Sequence, residues 1–151
     1  MRRFEFSLRR VLDWRRTQLE LAENHLRQMA AAIEELSLNI VKLDLVKERA
    51  EQSACQAAVL EAHELWALSA YRQRLMAERN ELLGRRSESE RQLAAQRERV
   101  KEAQRQCRLL EKLEERRRTE WQAASERELE SLATENYLAL WQRRREPAGA
   151  G

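Results

Sequence analysis

Glycine and proline are scarce in this chain. Its 151 residues include three glycines and one proline, and only Gly84 interrupts the first 146 residues. Strands and tight turns depend on glycine, proline, asparagine and aspartate, so this scarcity disfavours a β-rich fold. No run of about 20 apolar residues exists, which excludes a membrane-spanning helix. The two cysteines, Cys55 and Cys107, are too few for a disulfide framework.

Residues that carry enzyme chemistry are also few. The two histidines, His25 and His63, lack the clustered Cys/His spacing of a zinc site, and the glycines cannot form a phosphate-binding loop. We therefore interpret both histidines as surface residues and predict no enzyme activity, catalytic residue, cofactor or metal ligand. The 29 basic and 26 acidic residues are interleaved, which is typical of solvated helix faces and disfavours nucleic-acid binding.

Helix-forming residues dominate what is present. Charged residues make up 36% of the chain and accompany many leucines, alanines and glutamines, a composition typical of long helices or coiled coils. Apolar residues recur in a heptad pattern, which places them on one helix face that a partner helix covers. The first such stripe comprises Leu12, Arg15, Leu19, Ala22, Leu26, Met29, Ile33, Leu36, Ile40 and Leu43.

A second, weaker stripe follows an alanine-rich segment. It runs through Leu68, Tyr71, Leu75 and Leu82, shifts register near Gly84, and continues through Leu93, Gln96, Val100, Ala103, Cys107 and Leu110. The two stripes predict an all-α fold, an antiparallel coiled-coil hairpin spanning residues 1–146. Helix 1 is expected at about 5–55, the connection at about 56–63 and helix 2 at about 64–145. Pro147 begins a flexible tail, 147–151.

The predicted hairpin has unequal arms. With a turn near residue 60, the second helix overhangs the first by about 30 residues at 1.5 Å each. We expect Phe4 and Phe6 to pack where the second helix extends beyond the first. We expect Cys107 to lie on the seam, the line of residues along which the two helices pack, far from Cys55. One unbroken helix of about 140 residues remains open, because alanine continues a helix well.

The order of several motifs resembles the FliJ family of flagellar export proteins. The segment FEFSLRRVLDWRR and the following ELAENHL resemble the N-terminal signature of that family, through Phe4, Phe6, Leu8, Val11, Leu12, Arg15, Ala22 and Leu26. YRQRL resembles the start of the second family helix at Tyr71 and Leu75. LEKLEERRRTEW resembles a later segment through Leu110, Lys112, Leu113, Glu115 and Arg116. Where many members carry an Asp-Glu-x-Ala element, this chain has ELESLATENY.

The resemblance implies a non-enzymatic coiled-coil stalk of the flagellar type III export apparatus. Such a stalk binds the hexameric export ATPase ring and the cytoplasmic part of the export gate membrane protein, and it escorts export chaperones. The implied location is the cytoplasm, with peripheral association to the inner membrane at the flagellar basal body. The chain alone is expected to be a monomer without a transmembrane segment.

Large apolar residues that a two-helix hairpin cannot cover are the candidate contacts, because exposed apolar sets mark partner sites. On the gate side these are Trp66, Leu68, Tyr71, Leu75, Leu43 and Val46. On the ATPase-ring side they are Trp121, Leu129 and Leu132, joined by the basic run of Arg116, Arg117 and Arg118.

Two other functions fit the pattern. The equivalent stalk of a virulence-type secretion system would share the fold and the mechanism. A generic scaffold would instead be a single long helix in a parallel homodimer, with twice the mass of the 18.0 kDa chain.

Overall fold

Two helices form the fold. The computed structural model describes residues 3–145, in which α1 spans Arg9–Gln56 and α2 spans Ala62–Arg145. No strand occurs within these described residues. The two long helices lie against each other, so the predicted all-α antiparallel hairpin is confirmed. The predicted tail 147–151 lies outside the described residues.

The helix ends differ by a few residues from those expected. Helix α1 begins at Arg9 rather than near residue 5, after a turn in which the Arg9 N–H donates to the Phe6 carbonyl at 3.0 Å. Helix α2 begins at Ala62, because Glu64 reaches back and its carboxylate accepts the Glu61 N–H at 2.9 Å. This is half of a capping box, and it starts a helix without glycine or proline. The connection is thereby limited to residues 57–61.

Contacts divide the chain into two compact units. The central unit is Thr17–Gln104, and the terminal unit combines Met1–Arg16 with Arg105–Gly151. In the central unit, Asp44 pairs with Arg79 at 2.7 Å and Glu51 with Arg72 at 3.0 Å. Since later residues of α1 pair with earlier residues of α2, the two helix segments run antiparallel.

The seam of the central unit follows the expected stripes, with one revision. Every predicted α1 position from Leu19 to Leu43 is partly or fully buried. On α2 the heptad spacing continues without the shift expected near Gly84, because Arg79, Arg86 and Ser89 occupy the intervening seam positions. Arginine can do so because its aliphatic stem covers apolar surface while the guanidinium reaches a carboxylate. In this phase Tyr71 falls outside the seam and is 41% exposed.

One seam position in the central unit is a buried amide. Gln96 is 7% exposed, and its side-chain amide donates to the Ala22 carbonyl at 3.2 Å. A polar group at a single seam position favours one alignment of two helices over its alternatives. The small side chain of Ala22 leaves its backbone accessible to that contact.

The terminal unit closes on an aromatic pair. Leu12 is fully buried and Cys107 is 3% exposed, as expected for seam residues, and both cysteines are free thiols. The Phe4 ring lies 5.9 Å from the Trp121 ring at an interplanar angle of 52°. The expectation for Phe4 is therefore confirmed. Past this pair α2 continues as the predicted overhang, and every residue from 126 to 145 is exposed.

Candidate docking surfaces

The described residues offer little for catalysis. Within residues 3–145 no three His, Cys, Asp or Glu side chains lie close enough together to hold a metal ion. His25 is exposed, and the exposed His63 places Nδ1 3.1 Å from a Glu61 carboxylate oxygen. In the same range, neither helix has a stretch apolar and long enough to span a bilayer.

The connection between the helices and the first turns of α2 present large apolar side chains to solvent. Val59 and Trp66 are each 81% exposed, and Leu65 and Tyr71 are also exposed. We call these four residues of the central unit the turn surface. From the sequence we named Trp66 and Tyr71 but missed Val59. The signal for Val59 was its position just before the start of α2, where neither helix can cover it. Glu61 and Glu64 lie between Val59 and Trp66 in the sequence, whereas the basic Arg72 directly follows Tyr71 and pairs with Glu51 at 3.0 Å.

The other predicted gate-side residues are less accessible. Val46 is exposed, but Leu43 and Leu68 are partly buried, and Leu75 is only 7% exposed. Leu43 and Leu75 line one shallow recess beside the Asp44–Arg79 ion pair. Both residues are apolar because they pack in the seam, so neither belongs to the turn surface.

The aromatic pair of the terminal unit borders an open groove. Phe4, Phe6 and Trp121 line it together with Arg10 and Arg118. Trp121 remains 36% exposed despite its contact with Phe4. A predicted partner residue is thus also a packing residue, and replacing it affects both roles.

The arginines of the predicted ring-side run differ in their surroundings. Arg117 lies 3.4 Å from Glu120 one turn away, and both Arg117 and Arg118 border grooves beside Trp121. Arg116 lines a shallow recess on α2 with Leu109 and Leu113. An exposed ion pair such as Arg117–Glu120 contributes about 0.2–1 kcal/mol and leaves the arginine available to an acidic partner.

Ion pairs across the helices hold the start of α1 in the terminal unit. Arg9 donates to Glu114 at 2.6 Å and Arg16 to Glu111 at 3.0 Å. The hydrogen bond from Arg16 to the Glu111 carboxylate raises the pKa of Arg16 above its ordinary value. Because an arginine already stays charged far above neutral pH, these contacts are sensitive to salt rather than to mild alkali.

The overhang carries the last two predicted ring-side residues. Leu129 and Leu132 are 53% and 55% exposed, and Tyr137, Leu138, Leu140 and Trp141 beyond them are exposed as well. No described residue of α1 covers this part of α2, since all residues from 126 to 145 are exposed. We call residues 126–145 the α2 extension.

Comparisons with known proteins add no relative. No family model, no curated protein and no solved structure matches this chain.

Proposed function

We propose that this chain is a FliJ-like coiled-coil stalk of the flagellar type III export apparatus. In this role it is not an enzyme. It binds the hexameric export ATPase ring and the cytoplasmic part of the export gate, and it escorts export chaperones. It works in the cytoplasm, peripherally attached to the inner membrane at the flagellar basal body. The observation that carries the proposal is the α2 extension, a helix continuing past its intramolecular partner with its large apolar side chains exposed.

The ring-side contact is assigned to the terminal unit. A monomeric helix rarely leaves leucines, a tyrosine and a tryptophan in water along one segment, and such sets mark interaction sites. Leu129 and Leu132 supply apolar contact area, while Trp121 and the Arg116, Arg117 and Arg118 run supply the residue types that most often dominate binding energy. A single asymmetric stalk within six equivalent subunits contacts each of them differently, and that difference can bias their nucleotide cycle.

The gate-side contact is assigned to the turn surface. Trp66 is 81% exposed and belongs to the residue type most enriched among interface anchors. Leu65 and Tyr71 are further exposed apolar residues in the first turns of α2. The nearby Glu61 and Glu64 can pair with basic residues at the rim of a partner's site. Val46 is the exposed α1 residue from the predicted gate-side set.

A virulence-type secretion stalk would use the same surfaces. The genes that neighbour the coding sequence distinguish the two assignments, because flagellar and virulence components are encoded with their own partners.

The ring-side assignment is tested by a pull-down with the purified export ATPase. Leu129→Ala and Leu132→Ala together are expected to weaken binding at least tenfold, because each removes an exposed apolar contact without touching the seam. Leu38→Ala is the matched control, since Leu38 is 59% exposed but lies on α1 in the central unit. Far-UV circular dichroism checks that helicity is retained.

The result also separates the two surfaces. Trp66→Ala should reduce binding to the gate fragment and leave ATPase binding unchanged. Retention of full ATPase binding by the Leu129/Leu132 variant would remove the α2 extension from the proposed function.

A further inference from the structure

The α2 extension carries an apolar stripe with no intramolecular partner. At 100° per residue, its central apolar positions fall within an arc of about 100° on one side of the helix. These positions are Leu129, Leu132, Ala133 and Leu140, with Tyr137 at one edge and the polar Asn136 among them, and all are exposed. Leu138 and Trp141 lie outside this arc. An arc of this width is what a single second helix covers.

The charges of the extension are divided along its length. The first half carries Glu126, Glu128, Glu130 and Glu135 against the single Arg127, and the last turn carries Arg143, Arg144 and Arg145. None of the four glutamates forms an ion pair with another described residue. The guanidinium of Arg145 lies over the Trp141 ring at 3.9 Å. The segment is therefore acidic at its start and basic at its end.

We infer that the α2 extension is a self-association surface, on which the extension of a second copy of this chain binds in antiparallel orientation. An antiparallel pair places the acidic half of each copy against the basic end of the other, whereas a parallel pair would align like charges. The contact is symmetric, so each favourable pair occurs twice. The inference does not rest on the proposed function.

Helix geometry defines the alignment. With the two-fold axis near residue 135, Leu129 of one copy lies opposite Leu140 of the other, and Leu132 lies opposite Tyr137. Glu126 and Arg144 are separated by five full helical turns, so they occupy the same side of the stripe. In an antiparallel pair that side of one helix meets the same side of the other. Glu126 of each copy therefore approaches Arg144 of its partner.

The length of the α2 extension determines how strongly two copies associate. Its 20 exposed positions from 126 to 145 span about 30 Å at 1.5 Å each. Two such helices bury an area at the low end for specific interfaces, so we expect a dissociation constant on the order of 10 µM. The chain is then a monomer when dilute, as the sequence suggests, and a dimer when concentrated. A second copy and any other partner that uses Leu129 and Leu132 would compete.

Sedimentation equilibrium of the full chain between about 1 and 300 µM tests the association at low salt. The weight-average mass should rise from the monomer value of 18.0 kDa towards twice that value. Leu140→Ala should raise the dissociation constant about tenfold, and the control Leu38→Ala should leave it unchanged. A constant monomer mass up to 300 µM would overturn the inference, as would equal effects of the two substitutions.

Charge exchange tests the orientation. Glu126→Arg and Arg144→Glu should each raise the dissociation constant about tenfold, because each turns two attractive contacts into repulsive ones. An equimolar mixture of the two single variants should dimerise about as well as the original chain, because every reversed charge then meets its complement on the other copy. Failure of the mixture to recover, or single variants that dimerise normally, would refute the antiparallel contact. Circular dichroism of each variant confirms that the helices are intact.

Discussion

Replacing the buried amide of Gln96 with an alkyl group should stabilise the hairpin. The hydrogen bond from Gln96 to the Ala22 carbonyl is 3.2 Å long and contributes about 0.5–1.5 kcal/mol net. That carbonyl lies inside α1 and also accepts a helical hydrogen bond, so Gln96→Leu leaves no backbone group without a partner. Leucine removes the cost of burying an amide, about 1–3 kcal/mol, and adds buried methyl groups. The free energy of unfolding should therefore rise by about 1 kcal/mol.

Urea denaturation followed by circular dichroism at 222 nm measures this change. Gln92→Leu is the matched control, because Gln92 is exposed and its amide donates to Glu88, one turn away on the same helix, at 3.4 Å. Its effect should stay within about 0.5 kcal/mol. Gln96→Ala should cost about 2 kcal/mol, since it loses the bond and leaves a cavity. A loss above about 1 kcal/mol for Gln96→Leu would show that the hydrogen bond outweighs apolar burial at this position.

Two further predictions concern the seam. Leu12→Ala should lower the free energy of unfolding by about 3 kcal/mol, because Leu12 is fully buried. The control Leu21→Ala should change it by less than about 0.5 kcal/mol, because Leu21 is 57% exposed. Thermal melts compare the two variants, and equal losses would contradict the placement of Leu12 between the helices. Spin labels on cysteines at positions 19 and 101, in a chain with Cys55→Ser, should lie within about 25 Å in pulsed electron resonance, because packed helix axes are about 10 Å apart; a separation on the order of 100 Å would instead match one continuous helix.

The sequence predicted the fold because the helical repeat is regular over the whole chain. Positions such as Leu19 and Ile40 face the seam wherever an α-helix carries them, so their burial follows from spacing alone. The break between the helices was harder to locate, because it contains neither glycine nor proline. Its signal is Glu64, three positions after the cap residue Glu61, and a capping box that lacks its usual Ser or Thr is easily overlooked.

The candidate surfaces were predictable only in part. Trp66 lies outside the seam, and the leucines of the α2 extension lie past the part of α2 that α1 covers, so their exposure follows from that placement. Leu75 looked equally apolar but is buried, and Tyr71 looked like a seam residue but is exposed. The difference arises because Arg79 and Arg86 take seam positions, which keeps a single heptad phase along α2. Periodicity that counts only apolar residues misses arginines whose stems do the packing.

The accessible area of this chain sets how it responds to its surroundings. It exposes 12967 Å², whereas a compact monomer of its 18.0 kDa mass would expose about 8,000 Å². Unfolding therefore uncovers less new surface than length alone implies, so both the heat-capacity increment and the slope against denaturant should be small. Such a protein melts gradually, and a molecule that binds only the folded chain would supply a large fraction of its stability and lengthen its lifetime in proportion to its own concentration.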